Sequence, residues 1–143
     1  MELQMYEVLD QFKAAPTRQD KVNVLRANNS MVLRDVLYLT FHPSIQFFTT
    51  EFPKYYRPDR DAPPGMGWSH LGMEMRRMYL FFKDHPKSNH LSFEKRNELL
   101  TQMLESFEPR EAEVVIGMFK KNLPAVELTK DIVQSAFPDL LTP

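Results

Sequence analysis

The stretch Leu39-Thr40-Phe41-His42-Pro43-Ser44-Ile45-Gln46-Phe47-Phe48, continuing through Glu51-Phe52-Pro53-Lys54-Tyr55-Tyr56, decides how the chain is organised. It holds the densest aromatic cluster, and Pro43 disfavours helix at His42, so the helical pattern on its N-terminal side must stop there. On both sides the apolar residues recur at helical spacing. Upstream, Leu33, Val36, Leu37 and Thr40 form one face of a helix that Ser30 can cap. Just downstream, Ser44 to Phe48 is compatible with one more turn or with a short strand, because Ile45, Phe47 and Phe48 suit either. Beyond it, Thr49 to Gly67 holds four prolines (Pro53, Pro58, Pro63 and Pro64) around Asp59-Arg60-Asp61, the composition of a long irregular loop at about 49–67. Loops of that length in a compact domain are functional or mobile. Phe52, Tyr55 and Tyr56 are expected to pin it to the core.

Moving outward, Met5, Val8, Leu9 and Phe12 lie at i, i+3, i+4 and i+7, giving a helix that ends before Pro16. Thr17-Arg18-Gln19-Asp20 opens the next with Thr17 as N-cap, and Asn28-Asn29 stops it. Leu71, Met75, Met78, Tyr79 and Phe82 share a face over about Trp68 to Lys83, and Asp84 to Asn89 reads as a loop. Ser92 caps a helix with Phe93, Leu100, Met103, Leu104 and Phe107 inward. Pro109 suits the first position of another, whose face is Ala112, Val115, Ile116 and Phe119. Leu128, Ile132, Val133 and Ala136 repeat the spacing once more. The expectation is an all-α fold: a single domain over 1–143 with helices at about 2–14, 18–28, 31–41, 68–83, 92–107, 110–121 and 128–136. Phe12, Leu25, Leu33, Leu37, Met75, Tyr79, Leu100, Leu104, Val115, Phe119 and Ile132 should be buried. Two of the helices, ending at Phe41-His42-Pro43 and at Phe119 with Leu123-Pro124, run into proline-bearing turns, a weak internal echo of two hairpins about a pseudo-twofold.

At 143 residues, 43% hydrophobic and 26% charged, the chain can bury a core without disulfides, and it contains no Cys. Thiolate zinc sites and Cys nucleophiles are thereby excluded, and a reducing cytoplasm suits the composition. The first residues lack the basic and small-residue pattern of a signal peptide, and no apolar run approaches a membrane span. Gly65, Gly67, Gly72 and Gly117 fit no phosphate-binding loop, so no nucleotide cofactor is expected. His42, His70, His85 and His90 lack ligand spacing, and no metal is assigned. Glu105, Glu108, Glu111 and Glu113 read as a solvated helix start, where acids favour the dipole, and not as paired catalytic carboxylates. No small-molecule substrate is implied.

The formal charge of -1 gives no general basic character, so any nucleic-acid role must rest on local patches. Lys13, Arg18, Lys21, Arg26 and Arg34 lie within 22 residues, so the second and third helices should present a positive surface, Lys54, Arg57 and Arg60 add to the loop, and Lys120, Lys121 and Lys130 flank the last turn. These are candidate phosphate contacts.

Thr17-Arg18-Gln19-Asp20-Lys21 with Leu25, Leu33-Arg34, Tyr38-Leu39-Thr40-Phe41, Gln46-Phe47-Phe48 and the terminal Ala136-Phe137-Pro138-Asp139-Leu140-Leu141 together resemble the N-terminal DNA-binding domain of tailed-phage ATP-dependent DNA ligases. They also resemble a family of small uncharacterised phage proteins. The likeness runs over nearly the whole chain. It implies an all-helical module that grips duplex DNA from the minor groove around a nick and leaves the chemistry to a separate domain. The chain has no Lys-x-Asp-Gly segment to carry an adenylylated lysine, so no enzyme activity is expected. It departs from the ligase pattern at His42-Pro43-Ser44, where the ligase has an Arg-Gly pair, at Thr50-Glu51, where it is basic, and at Leu123-Pro124-Ala125-Val126-Glu127, where a Gly lets the backbone approach DNA. A lost Gly and an added Glu both weaken contact with phosphate.

The resemblance implies duplex DNA as a partner, through Lys21, Arg26, Arg34, His42, Lys120, Lys121 and Lys130 on one face, in a replication or repair accessory of the infected bacterial cytoplasm. The competing expectation is a protein-interaction module acting on a phage or host protein. At the C-terminus, Phe137 is expected to be buried against the domain, since Phe137, Leu140 and Leu141 would otherwise expose an apolar cluster.

Overall fold

A computed structural model describes residues 3–47, 71–83 and 85–141. The expected loop at 49–67, with Phe52, Tyr55, Tyr56, Lys54, Arg57 and Arg60, lies outside the described residues, as do Trp68, His70 and Asp84.

The fold is all-α, and its helix ends follow from local chemistry. Helix α1, Met5–Ala14, begins with the Gln4 N–H donating to Glu7 Oε1 at 3.0 Å and stops short of Pro16. Thr17 Oγ1 accepts the Asp20 N–H at 3.0 Å to start α2, Arg18–Ala27, and Ser30 Oγ accepts the Leu33 N–H at 3.1 Å to start α3, Met31–Phe41. At His42 the backbone turns extended, as its position before Pro43 requires. Ser92 caps α5, Phe93–Ser106, through the Lys95 N–H at 3.0 Å. Pro109 is the first residue of α6, Pro109–Phe119, and Thr129 caps α7, Lys130–Ala136.

The segment expected as one helix over Trp68–Lys83 departs from regular α geometry. From Leu71 onward it forms a single α turn, α4 over Leu71–Glu74, then a 3₁₀ helix over Met75–Phe81. With three residues per turn, Met78 and Phe81 line up and are fully buried, which turns Tyr79 aside; Met75 and Tyr79, both expected in the core, sit half-buried. The tighter winding delivers Phe81 against Phe119, ring centroids 5.5 Å apart, and frees Phe82 to meet Phe47 edge-on at 5.4 Å. There the Lys83 N–H donates to the Gln46 carbonyl at 2.8 Å, and Phe47 and Phe82 form one isolated antiparallel bridge. A second short 3₁₀ turn, Ser88–His90, occupies the expected loop, with the buried Ser88 hydroxyl donating to the carbonyls of Phe82 and His85.

Helix α6 is the spine. It packs against α1, α3 and α5, while α2 lies between α1 and α7. One buried cluster runs from Met5 to Leu141 and contains Phe12, Leu25, Leu33, Leu37, Leu100, Leu104, Val115, Phe119 and Ile132 as expected. Phe93 does not join it: 72% exposed, it stands at the first position of α5, before the inward stripe begins. That stripe starts with Arg96, whose stem is buried and whose Nη2 donates to the carbonyls of Ser88 at 2.8 Å and Leu91 at 3.2 Å. The C-terminal segment is docked: Leu141 is buried, and Phe137 and Leu140 are half-buried against the core.

Candidate functional site

Helices α3 and α6, the two that run into proline turns, pack on each other, and their C-terminal ends meet. Phe47, after the first turn, stacks on Phe119 at the end of α6 with ring centroids 4.3 Å apart and planes within 15°. The end of α6 is a Schellman turn: the Lys121 N–H donates to the Met118 carbonyl at 3.1 Å, the Asn122 N–H to the Gly117 carbonyl at 2.8 Å, and Lys121 takes φ 60°. From that left-handed position the Lys121 ammonium crosses to α3 and donates to the carbonyls of Leu39 at 2.6 Å and His42 at 3.2 Å. Burial lowers its pKa from the ordinary lysine value. Opposite, His42 lies tilted on Tyr38, ring centroids 4.6 Å apart, and its Nδ1 accepts the Ser44 backbone N–H at 3.1 Å and faces Ser44 Oγ at 2.7 Å. An amide can only donate, so Nδ1 is the unprotonated ring nitrogen and Nε2 carries the proton. Exposed Pro43, Ser44, Lys120, Asn122 and Pro124 fringe this edge.

The remaining expected contact residues divide. Lys21 is buried, donating to the carbonyls of Phe12 at 2.9 Å and Lys13 at 3.4 Å in the last turn of α1 and pairing with Glu127 at 3.0 Å. Arg26 reaches the other way, its Nη2 on the Ser135 carbonyl at 2.8 Å and its Nε on that of Ala136 at 3.4 Å, at the end of α7. Lys21, Arg26 and Lys121 therefore each satisfy carbonyls that a helix C-terminus leaves without partners, where a cation also favours the dipole. Arg34 is exposed, its Nε 3.4 Å from the Ser30 carbonyl, and Lys120 and Lys130 are exposed. Hydrogen bonding brings Lys121 to His42, while Lys21 lies against α1 and Glu127, and Arg26 against α7.

Glu111 departs from the expected solvated helix start. It is 2% exposed, and its carboxylate accepts the N–H groups of Met5 and Tyr6, so α6 caps α1 from a distance. The signal was periodic: Glu111, Val114, Val115 and Met118 share the buried stripe of α6. Beside it, Arg110 makes a two-point contact with Asp10 at 2.9 and 2.6 Å, which holds the Asp10 carboxyl below its usual range. Among the described residues no group of His, Cys, Asp or Glu is placed to hold a metal ion, and no helix is long and apolar enough to cross a membrane.

The chain belongs to a family of unknown function, DUF6433, whose model matches residues 8–125, from within α1 to just past the turn that ends α6. No curated protein matches the sequence.

Proposed function

We propose that the protein is a non-catalytic relative of the ligase DNA-binding domain that binds duplex DNA weakly, as a replication or repair accessory in a phage-infected bacterium. The observation that carries this reading is the meeting of two proline turns at the ends of α3 and α6, joined by Lys121 at 2.6 Å from the Leu39 carbonyl. These turns hold two of the segments, His42-Pro43-Ser44 and Leu123 to Glu127, at which the ligase resemblance implies DNA contact and the chain departs from the ligase pattern, which is why the proposed binding is weak. Of the seven expected contact residues, Lys21, Arg26 and Lys121 have their cationic groups on carbonyls, and the exposed Arg34, Lys120 and Lys130 are taken as the phosphate contacts, which favours weak binding with a shallow salt dependence. Fluorescence anisotropy on nicked and intact duplex should show binding at ~50 mM salt with a log–log salt slope of about -2 to -3. No binding under those conditions ends the DNA reading.

One observation favours a second reading, a protein-interaction module: Phe93 is 72% exposed, as are Met31 at 71% and Met73 at 63%. Large apolar side chains in water are candidate contact points for a partner, and Phe93 is the one aromatic among them. Affinity capture with the wild type and with Phe93→Ser tests it: a phage or host protein retained by the first and lost by the second would carry the protein reading.

A further inference from the structure

We infer that Lys121 is a positioning residue for the edge where α3 and α6 end, holding the two proline turns in one register without touching the ligand itself. The inference rests on the DNA reading for its ligand, but the tie between the turns stands on geometry alone.

Lys121 occupies the C′ position of a Schellman turn at φ 60°, where Gly is the usual residue because it has no Cβ to clash. A lysine there is a local disadvantage, so something outside the turn must favour it. The side chain supplies the answer. Its ammonium crosses to the neighbouring helix and donates to the Leu39 carbonyl at 2.6 Å and the His42 carbonyl at 3.2 Å, while lying 5.8 Å from the centroid of the Phe47 ring. Leu39 and His42 stand at the end of α3, so one side chain spans both helix ends and the aromatic residue between them.

Charge gives the second part of the argument. Each helix C-terminus carries roughly half a negative charge, and two such ends on one edge would repel a phosphate backbone. An ammonium held between them offsets that field. The half-buried Lys121 acts in this way as an internal counter-charge, while Lys120 next to it lies on the exposed side of the turn. Neighbouring lysines thus take different tasks: one sets the shape and field of the edge, the other faces the ligand.

Lys121→Gly removes the whole side chain, tether and charge together, at a left-handed position that Gly suits; Lys121→Met keeps the aliphatic stem and removes the ammonium, with its charge and its two hydrogen bonds. Both should retain the wild-type circular dichroism spectrum, and Lys121→Gly should hold the thermal midpoint. In both, amide hydrogen exchange at His42 and Ile45, whose N–H groups bond to Tyr38 and His42 carbonyls, should quicken. Affinity for a nicked duplex should drop about fivefold or more, the low end of ordinary coupling between sites, with the salt slope unchanged. Lys120→Ala should instead lower that slope by about one. Unchanged exchange at His42 and Ile45 overturns the tie, wild-type affinity overturns the positioning role, and a slope reduced by about one shows Lys121 touching phosphate directly. If the wild type binds no duplex at all, the DNA reading fails, and the exchange rates alone decide whether Lys121 joins the turns.

Discussion

Glu111 caps Met5: the buried carboxylate on α6 accepts the Met5 N–H at 3.0 Å across 106 residues of chain, and its other oxygen accepts that of Tyr6 at 2.9 Å. The first amides of a helix have no partner within it, so a carboxylate brought from elsewhere both satisfies them and favours the positive end of the dipole. Helix α1 is therefore fastened to the spine by polar contacts as well as by Met5, Val8, Leu9 and Phe12. Glu111→Ala leaves both N–H groups without their acceptor and should cost about 2–3 kcal/mol, the scale of hydrogen bonds to a charged group. Urea unfolding measures it, and a loss below about 0.5 kcal/mol would mean that water replaces the cap.

The same carboxylate sets a pH dependence of unusual sign. Burial raises the Glu111 pKa above its ordinary 4.5, the two backbone N–H groups lower it, and Glu108 and Glu7 raise it again, for a net increase. Between the unfolded and folded values the native state binds more protons, so this group's contribution is fully present below about 4.5 and is lost as pH rises through the folded pKa. Asp10, depressed chiefly by its hydrogen bond to Arg110, acts in the opposite sense and is lost on acidification. Comparing wild type with Glu111→Gln at each pH cancels the other groups. The stability difference should shift in favour of the wild type toward pH 4.5, and a shift the other way would show the hydrogen bonds outweighing burial.

Arg26 and Lys130 should behave as different kinds of cation. Arg26→Ala removes donors from the Ser135 and Ala136 carbonyls at the end of α7 and should cost about 1 kcal/mol with no change in the salt slope of duplex binding. Lys130→Ala, at the exposed start of α7, should leave stability within about 0.5 kcal/mol and lower the slope by about one. Thermal melts and salt titrations of the two variants distinguish these outcomes, and a reduced slope for Arg26→Ala would return it to the contact surface.

How much was legible in the sequence follows from the range of each interaction. Helix ends were readable at Pro16, Thr17, Ser30, Ser92 and Pro109 because caps and prolines act within a few residues. The 3₁₀ winding of Met75–Phe81 was not, since Met78, Tyr79, Leu80, Phe81 and Phe82 all carry no charge and so offer an inward face to a 3.6-residue period and to a 3.0-residue period alike, the first choosing Tyr79 and Phe82, the second Phe81. The roles of Arg26 and Lys121 were hidden for another reason: each meets carbonyls on a helix distant along the chain, and a list of charges carries no record of the acceptor. Glu111 was expected in solvent with its acidic neighbours although it stands on the apolar stripe of α6, and the helix it caps follows only from the packing of α1 on α6.

Gly117 lies where the turn after α6 folds back on the helix. A Cβ there would come within 2.8 Å of the Asn122 carbonyl oxygen and 3.1 Å of Leu123 Cα and Pro124 Cδ. Helix propensity favours Ala over Gly by about 1 kcal/mol, whereas overpacking against backbone costs about 1–3 kcal/mol. The clash should win, because the nearest atoms belong to main chain that the Asn122 N–H already ties to the Gly117 carbonyl. Gly117→Ala should lower the melting temperature and, by displacing residues 122–124, weaken duplex binding too. A raised melting temperature would show that the turn can move aside.

The docked C-terminal segment makes the last prediction, and burial orders its side chains differently from the expectation that Phe137 anchors it. Leu141 is 7% exposed while Phe137 and Leu140 are only half-buried. Phe137 instead ends α7, its N–H on the Val133 carbonyl at 2.8 Å, and its own carbonyl accepts the Leu140 N–H at 3.1 Å, a turn that swings Leu141 back into the core. Leu141→Ala should cost about 2–3 kcal/mol, at the lower end for a buried leucine because the site lies at the rim. Phe137→Ala, at a partly buried ring, should cost about 2 kcal/mol or less, below the 3–5 kcal/mol typical of a fully buried ring. Urea midpoints for the two variants and for Leu140→Ala give the order. A segment that served as an exposed partner peptide would show all three melting as the wild type does, since side chains in water contribute little to folding, and would place their effect on binding instead.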